Sequence, residues 1–514
     1  MKYKFPTFLT VSLAAALSGC VSVEDSVAPT PSRYWKAPAD AVPQKEIAPE
    51  SIKTDKIEDA DAPKSAPAAA NGAKAEKKNL PLTSAEKLMV GSELELGEVV
   101  DIALENNTTT RVYWFQAKSY AAALGKANSA YYPQVSVGAQ VYRAKNRPNL
   151  SYLNIPIGAY YETGYGPSLE LNWMIYDFGK REANIESARE AMRAANFDYN
   201  QALQEVVLNV NESYYGLYAA VGGVKAAQMN LEDAKTAYDA ANTRFTEGVG
   251  TKQEMLTALA NMKNSEFSLE AAKTKVETAR AELANSMGVR VSEYLKISDM
   301  VKIPSSPETA KKVDELIAKA MRSRQDLLAS YAQLRKTKSE TVVAERDFLP
   351  QINAVGSGSY LGYTQSGSQD QYAIQGGLTL TWNIFEGFAK TYNLISAKAL
   401  ERAQAQKLKS EEIRIISDVW SSYHAYKSYL KQVVSADAAM KATYEAYEAT
   451  KIGYENGVNT ITDLLNTQAN LATARQQKVS ADSNLAVSIA KLSYSTGALI
   501  ANTEEEPNLP VIKQ

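Results

Sequence analysis

One unit is written twice in this chain of 514 residues, so whatever the first copy folds into the second must fold into as well. Trp173 in LELNWMIYDF is answered by Trp382 in LTLTWNIFEG, an offset of 209 residues (382 − 173). The same offset carries Tyr214 to Tyr423, TEGVGT at 246–251 to ENGVNT at 455–460, and Gly288 to Gly497. Upstream, YYPQV at 131–135 pairs with FLPQI at 348–352 at an offset of 217 (350 − 133). The first copy therefore carries eight extra residues between Pro133 and Trp173. A register held through a whole copy marks duplication, and insertions in repeats fall in loops.

Inside each copy the hydrophobic period changes. From Lys180 the apolar positions Leu203, Val207, Val210, Tyr214, Leu217, Val221 and Val224 alternate four and three apart, and Leu231, Tyr238 and Phe245 continue every seventh residue. After a Gly-Val-x-Thr break, Met255, Met262, Leu269, Val276 and Leu283 recur every seven. The second copy repeats this with Val419, Tyr423, Tyr447 and Tyr454. Leu464, Leu471, Leu485 and Leu492 follow, with Lys478 as the exception. Sustained heptads predict coiled-coil packing, and one helix from Lys180 to Phe245 would reach about 100 Å at the ~1.5 Å rise of an α-helix. Between the helices the period drops to two. Val135, Val137, Ala139 and Val141 alternate with polar or glycine neighbours, as do Leu169, Leu171, Trp173 and Ile175, and then Leu378, Leu380, Trp382 and Ile384. Ile352 and Ala354 open a weaker partner strand. Each copy thus predicts a β-hairpin flanked by helices, with Pro133 and Pro350 at the switch from helix to strand.

The chain's start names the compartment. Lys2 and Lys4 precede a mostly apolar stretch from Phe5 to Leu17, and Leu17-Ser18-Gly19-Cys20 follows. That order is a secretory signal, too short to span a membrane. Leu-Ser-Gly-Cys resembles a bacterial lipobox, so 1–19 is expected to be a lipoprotein signal peptide and Cys20, the single cysteine, the lipid-bearing residue. Val21 in place of aspartate favours the outer membrane. Residues 20–92, rich in proline, alanine and lysine, predict a disordered tether, and 501–514 a flexible tail. The net charge of −2 implies no nucleic-acid partner. No apolar run approaches the roughly 18 residues of a spanning helix, but alternating strands escape that criterion. The excess of Tyr over Phe (30 against 10) suits half-wet surfaces and membrane interfaces.

Amphipathic strands in a membrane must close into a barrel, because an open sheet edge leaves amides unpaired in hydrocarbon. Four strands per chain are too few, so the periodicity demands an oligomer: two chains would supply eight strands, three would supply twelve. Trp173 and Trp382, near strand ends, are the expected membrane girdle.

A signal sequence followed by helix, hairpin, helix and helix, written twice, resembles the TolC-like family of outer-membrane efflux proteins. The x-L-P-Q strand entries, the Trp-bearing second strands and the Gly-Val-x-Thr breaks carry the resemblance over roughly residues 92–500. It implies a mixed, predominantly α membrane protein with long coiled-coil helices and four transmembrane β-strands per chain. A homotrimer would form a twelve-stranded barrel and a periplasmic helical tunnel. The expected parts are a first repeat at 93–290, an equatorial linker at 291–312 and a second repeat at 313–500. The implied function is a passive exit duct, taking small molecules or a secreted polypeptide from an inner-membrane pump or ABC transporter through a periplasmic adaptor. The alternative is a periplasmic coiled-coil structural lipoprotein, which would need no amphipathic strands.

The resemblance also places function at the breaks between long helices. Gly248-Val249-Gly250-Thr251 and Gly457-Val458-Asn459-Thr460 are the implied adaptor-docking tips. In that family an aspartate pair six and nine residues past the second tip glycine lines the entrance; those positions are Asp463 and Asn466, and the first-copy counterpart of Asp463 is Glu254. The family's gate tyrosine falls on Tyr454, while its gate arginine is replaced by Asn459. By spacing alone, Glu254 and Asp463 are equally first-turn acids favoured by the helix dipole. No nucleophile elbow, phosphate loop or metal-spaced cluster accompanies them. The single histidine, His424, reads as a packed or solvated helix residue. No enzyme, metal or cofactor is expected beyond the lipid on Cys20.

Overall fold

The structure, a computed structural model, describes residues 27–36, 38, 93–146, 160–291, 295–298, 311–364 and 369–500. The expected signal sequence, Cys20 and the expected flexible tail at 501–514 lie outside the described residues. The elements run β1 (Glu93–Leu94), α1 (Leu96–Asn106), α2 (Thr108–Asn128), β2 (Gln134–Asn146), β3 (Tyr160–Tyr176), α3 (Lys180–Thr246) and α4 (Lys252–Met287). Then come β4 (Lys296–Ile297), α5 (Val313–Ser323), α6 (Gln325–Arg346), β5 (Gln351–Tyr363), β6 (Gln371–Thr381), α7 (Ala389–Glu455) and α8 (Ile461–Ser495). Helices α3 and α7 are 67 residues each, the copy-related pair the heptads predict.

Ahead of each hairpin the sequence pattern predicts one helix, and the structure has two. The breaks fall at Asn107 (φ −63°, ψ 128°) and Arg324 (φ −68°, ψ 127°), 217 residues apart, the same offset as the strand entries. Both extended residues are held by their side chains. The Asn107 amide donates to the Ser286 carbonyl at 2.9 Å, and the buried Arg324 guanidinium bonds Asp418 at 3.1 Å.

The chain divides into two compact units. The first contains 109–203 and 317–418 with residues 27–36. Its centre is an antiparallel sheet of order β2-β3-β5-β6. Alternation leaves one apolar face open to the surroundings: Val137 and Val141 are each 79 % exposed, Ile374 is 86 % and Leu378 73 %. The strand pattern in the second copy ends earlier than expected, at Thr381, so Trp382 and Ile384 lie just past β6. Gly166 in β3 allows close backbone approach, since a Cβ there would overlap the Tyr360 carbonyl oxygen of β5. Gly166→Val is therefore expected to cost more than the about 1–3 kcal/mol of ordinary overpacking and to lower the yield of folded protein. Gly358→Ala, with nothing within 4 Å of its added Cβ, should leave the folded yield unchanged. Equal yields of the two variants would refute the register.

Part of the expected tether is not loose. Within 27–36, Val27, Ala28 and Trp35 are buried; Val27 packs with Ala117 and Ala121 of α2 and Met192 of α3. The Asn200 amide clamps Trp35 at two points, accepting from its N–H at 2.7 Å and donating to its carbonyl at 2.8 Å. Trp35 also meets the Phe197 ring edge-on at 5.2 Å. Composition hides this because its buried anchors, Val27, Ala28 and Trp35, are few among proline and polar neighbours.

The second unit contains the described residues within 93–108, 204–316 and 419–500. One core gathers Leu94 of β1, Val99 and Ile102 of α1, Val210, Tyr214 and Leu217 of α3, Leu283 and Met287 of α4, and Ile297 of β4. Strands β1 and β4 pair in parallel, so the linker segment is knitted to the start of the first copy. Farther along, α8 buries Leu464, Leu471, Leu485 and Leu492 as the heptads require, and the exception, Lys478, bonds Asp482 at 2.9 Å. Helix α3 buries Leu203, Val207, Val210, Tyr214 and Leu217 as expected but departs farther along: Ala234, Ala237 and Ala241 are buried there, while Leu231 and Tyr238 are half-buried and Phe245 is exposed. Small side chains let neighbouring helices approach closely. Gly222 shows the same closeness, since an added Cβ would stand 2.8 Å from Val479 Cγ1 of α8.

Candidate functional site

Both breaks between long helices are the same turn. At the first, the N–H of Gly248 donates to the Phe245 carbonyl at 3.1 Å, and those of Val249 and Gly250 donate to Arg244 at 2.9 and 2.8 Å. At the second, Gly457 donates to Tyr454 at 3.0 Å, and Val458 and Asn459 donate to Gly453 at 2.8 and 3.1 Å. These bonds satisfy the last carbonyls of α3 and α7, which a helix end otherwise leaves orphaned. The turn needs a left-handed residue, and Gly248 (φ +79°) and Gly457 (φ +73°) supply it. Val249 and Val458 then point outward, 67 % and 80 % exposed.

The next helix starts are also twinned. Thr251 caps α4 by accepting the Glu254 N–H at 3.2 Å, and the Glu254 carboxylate returns the bond to the Thr251 N–H at 3.2 Å. Thr460 and Asp463 close the same reciprocal box on α8, where the carboxylate also takes the Thr460 hydroxyl at 2.7 Å. The hydroxyl and then the amide of Thr460 hold the Asp463 carboxyl below the usual carboxylate range. The two acids are therefore first-turn capping groups, and Asp463 remains exposed, as does Asn466.

Tyr454 is 2 % exposed, in a core with Ala237, Ala241, Ala258, Tyr447, Ile461, Leu464 and Leu471. Burial pushes its hydroxyl up; the Arg244 charge opposes that and the Glu254 charge adds to it. Asn459 does not stand in for an arginine: its amide donates to the Thr450 carbonyl at 3.3 Å and fastens the end of α7. The residue that sequence reasoning missed is Arg244, whose guanidinium lies 5.2 Å from the Tyr454 ring centre. A signal for it was present, since TRF at 243–245 has no arginine in its second-copy counterpart, IGY at 452–454.

The pattern that defines the outer membrane efflux protein family matches residues 99–289 and 316–498, one block per copy. This chain belongs to that family. Among curated relatives, Protein CyaE of Bordetella pertussis is 24 % identical over 393 residues, covering 75 % of this chain and 80 % of that one. Nodulation protein T of Rhizobium leguminosarum bv. trifolii is 22 % identical over 336 residues, covering 62 % and 70 %. Among solved structures, the Campylobacter jejuni CmeC outer membrane channel superposes with a TM-score of 0.71 at 22 % identity, covering 80 % of this chain and 87 % of that one.

The remaining sequence-predicted residues fall elsewhere. Trp173 and Trp382 act alike: their indole N–H groups donate at 2.9 Å to the carbonyls of Tyr131 and Phe348, where helix gives way to strand. They are 41 % and 54 % exposed, so each clips its junction while leaving an aromatic face free. His424 is exposed, its ring 4.7 Å from Trp420 and 5.5 Å from Tyr423. Among the described residues no group of His, Cys, Asp and Glu is arranged to hold a metal ion.

Proposed function

We propose that this chain is one protomer of a trimeric outer-membrane exit duct, lipid-anchored through Cys20 and passive rather than enzymatic. The observation that carries this reading is the sheet β2-β3-β5-β6, whose apolar face is exposed and whose outer strands β2 and β6 have no further strand beside them among the described residues. Hydrocarbon can cover the face, and copies of the chain can pair the edges; water can do neither without leaving a large apolar patch and an aggregation-prone edge. Membership of the outer membrane efflux protein family supports the same assignment. In this reading the polar strand faces line a passage that continues between the coiled coils to the tips. There a periplasmic adaptor would dock on Gly248 to Thr251 and Gly457 to Thr460, linking the duct to an inner-membrane pump or ABC transporter. Tyr454, Glu254 and Asp463 would stand at the entrance, and the cargo would be small molecules or a secreted polypeptide.

Anchoring tests the barrel. Cys20→Ala is expected to abolish acylation yet leave most of the trimer in the outer membrane, because burial of a whole barrel surface far outweighs the ~0.8 kcal/mol per CH₂ of acyl chains. Fractionation with and without heating before electrophoresis reads both properties. Quantitative release of folded Cys20→Ala protein into the periplasm would refute an integral barrel.

A further inference from the structure

The duplication supplies an internal control for charge at the two junctions where strand gives way to long helix. In the first copy Arg181, the second residue of α3, is only 9 % exposed. Its Nη1 donates to the carbonyls of Met174 at 2.9 Å and Ala130 at 3.3 Å. In the second copy its counterpart 209 residues on, Lys390, donates to the carbonyl of Asn383, the counterpart of Met174, at 2.8 Å. A lysine therefore suffices to bond the chain there. The surroundings differ. Beside Lys390 lies a cavity of about 200 Å³ whose charges balance, Lys180, Arg346 and Lys390 against Asp177, Asp347 and Glu386. Beside Arg181 lies one of about 540 Å³, lined by Lys126 of α2, Lys180 and Arg181, with Asp177 as the one acid among its lining residues. The second-copy counterparts of Lys126 and Lys180 are Val343 and Ala389, so only the first copy gathers these cations.

Two of the three lack a close anion. Lys180 pairs with Asp347, but Lys126 has no ion-pair partner among the described residues. Arg181 lies 4.1 Å from the Tyr131 ring centre, and its ion pair, to the exposed Glu182, is 3.9 Å long, beyond hydrogen-bond reach. Its Nε is buried with no hydrogen-bond partner, an arrangement that costs free energy until an acceptor arrives. The Asp177 carboxylate is already taken by the Arg181 backbone N–H, so the start of α3 is capped and the unmet charge belongs to side chains.

We propose that this cavity holds the phosphate of a phospholipid headgroup, between Arg181 and Lys126. A phosphate oxygen there would meet both cations and supply the acceptor that Nε lacks, through charge-assisted bonds stronger than neutral ones. The site's place in the fold names the lipid. Its lining also includes Met174 near the end of β3 and Gln351 at the start of β5, which puts it at the rim of the sheet on the side of the helices. Tyr132, Trp173 and Tyr176 are exposed at the same rim. An apolar sheet face, then aromatic rings, then cations is the order of hydrocarbon, interface and headgroups across a leaflet. That level rests on the exit-duct reading, which puts the sheet in the outer membrane; the phosphate chemistry does not. An inorganic phosphate ion offers the same oxygens without chains to lie against the apolar face.

Native mass spectrometry of the full-length, detergent-extracted protein titrated with dioleoyl phosphatidylglycerol tests the site. Lys126→Glu alters an exposed side chain, so the protein should fold while binding this lipid at least about tenfold more weakly. Arg181→Lys keeps the kind of bond that Lys390 makes in the second copy but removes Nε, and should weaken binding severalfold. Lys407→Glu, the same charge change at an exposed position of α7, should bind as the unaltered protein does. Dioleoylglycerol, which has the chains without the phosphate, should not be retained. Equal lipid binding by Lys126→Glu and the unaltered protein, or equal retention of dioleoylglycerol, would overturn the proposal. Calorimetry with inorganic phosphate separates the two sources: if phosphate bound through Lys126 and phosphatidylglycerol did not, the lipid assignment would fall. Electrophoresis of the same samples with and without heating reads the barrel independently. A heat-modifiable trimer that retained no phosphatidylglycerol would lose this site and keep the exit duct, whereas Lys126-dependent binding without such a trimer would keep the phosphate site and lose the duct.

Discussion

Replacing Gly457 with proline is expected to abolish export while leaving the assembled protein in the outer membrane. Two defects act together. Proline fixes φ near −65°, whereas the turn requires +73° at this residue, and proline removes the N–H that bonds the Tyr454 carbonyl at 3.0 Å. The helix end would lose its closure, at a cost of about 3 kcal/mol or more by analogy with proline inside a helix. The damage is confined to the tip, because the sheet and its strand entries belong to the other compact unit. Gly457→Ala is the graded control. A left-handed alanine costs about 1–2 kcal/mol, and its Cβ would meet only Arg244 Nη1 at the ordinary distance of 3.8 Å. It should weaken export without abolishing it. Efflux or secretion measured in cells, beside unheated electrophoresis of the membrane fraction, separates lost docking from lost assembly. Unimpaired export by Gly457→Pro would remove the adaptor site from these tips.

Much of this architecture is legible in the sequence because repeats speak twice. The 209-residue offset found both tips, both tryptophan clips and both pairs of long helices, and the 217-residue offset also marks the breaks at Asn107 and Arg324. Heptad leucines located the buried face of α8 because leucine is chosen there by volume. The same rule held for Leu203 to Leu217 of α3 but failed farther along it, where close helix approach is met by Ala234, Ala237 and Ala241, residues that a search for large apolar side chains passes over. The docked strap at 27–36 is invisible to composition, since its hold depends on partners far away in sequence, among them Asn200, 165 residues from Trp35, and Tyr199, whose hydroxyl bonds the Arg33 carbonyl at 2.6 Å. Arg244 was missed for a related reason. Its partner Tyr454 is 210 residues distant, and spacing arguments compare a residue with its own copy rather than with the opposite turn. At the acids the structure supports the simpler of two readings without removing the other: Glu254 and Asp463 cap helices, and a capping carboxylate still carries its charge.

That charge leads to the second large effect. A trimer would gather the Glu254 and Asp463 carboxylates of every chain around one opening, and like charges in a narrow, low-dielectric throat focus a field that draws cations and slows anions. The pore is expected to be cation-selective and blocked by trivalent cations from the side of the tips, less tightly than a relative with an acid where Asn466 stands. The double variant Glu254→Gln, Asp463→Asn isolates charge from structure. Each replacement keeps a side-chain oxygen to accept the cap N–H, so both helix starts should persist, whereas alanine would break the capping boxes as well. Its reversal potential in a salt gradient should collapse toward zero, and trivalent block should weaken at least about tenfold as the focused field is lost. Acid titration supplies the sign. The Asp463 carboxyl is held below its ordinary range by Thr460, so it stays ionised as the pH falls past the point where a free aspartate would protonate. Its share of selectivity, and of cap stability, is present above the unfolded value and lost only as the pH drops through the lower folded one. Single-channel recording down to that range should show selectivity surviving mild acid in the unaltered protein and absent at every pH in the double variant. Identical reversal potentials and identical block in the two proteins would leave Glu254 and Asp463 as caps and nothing more.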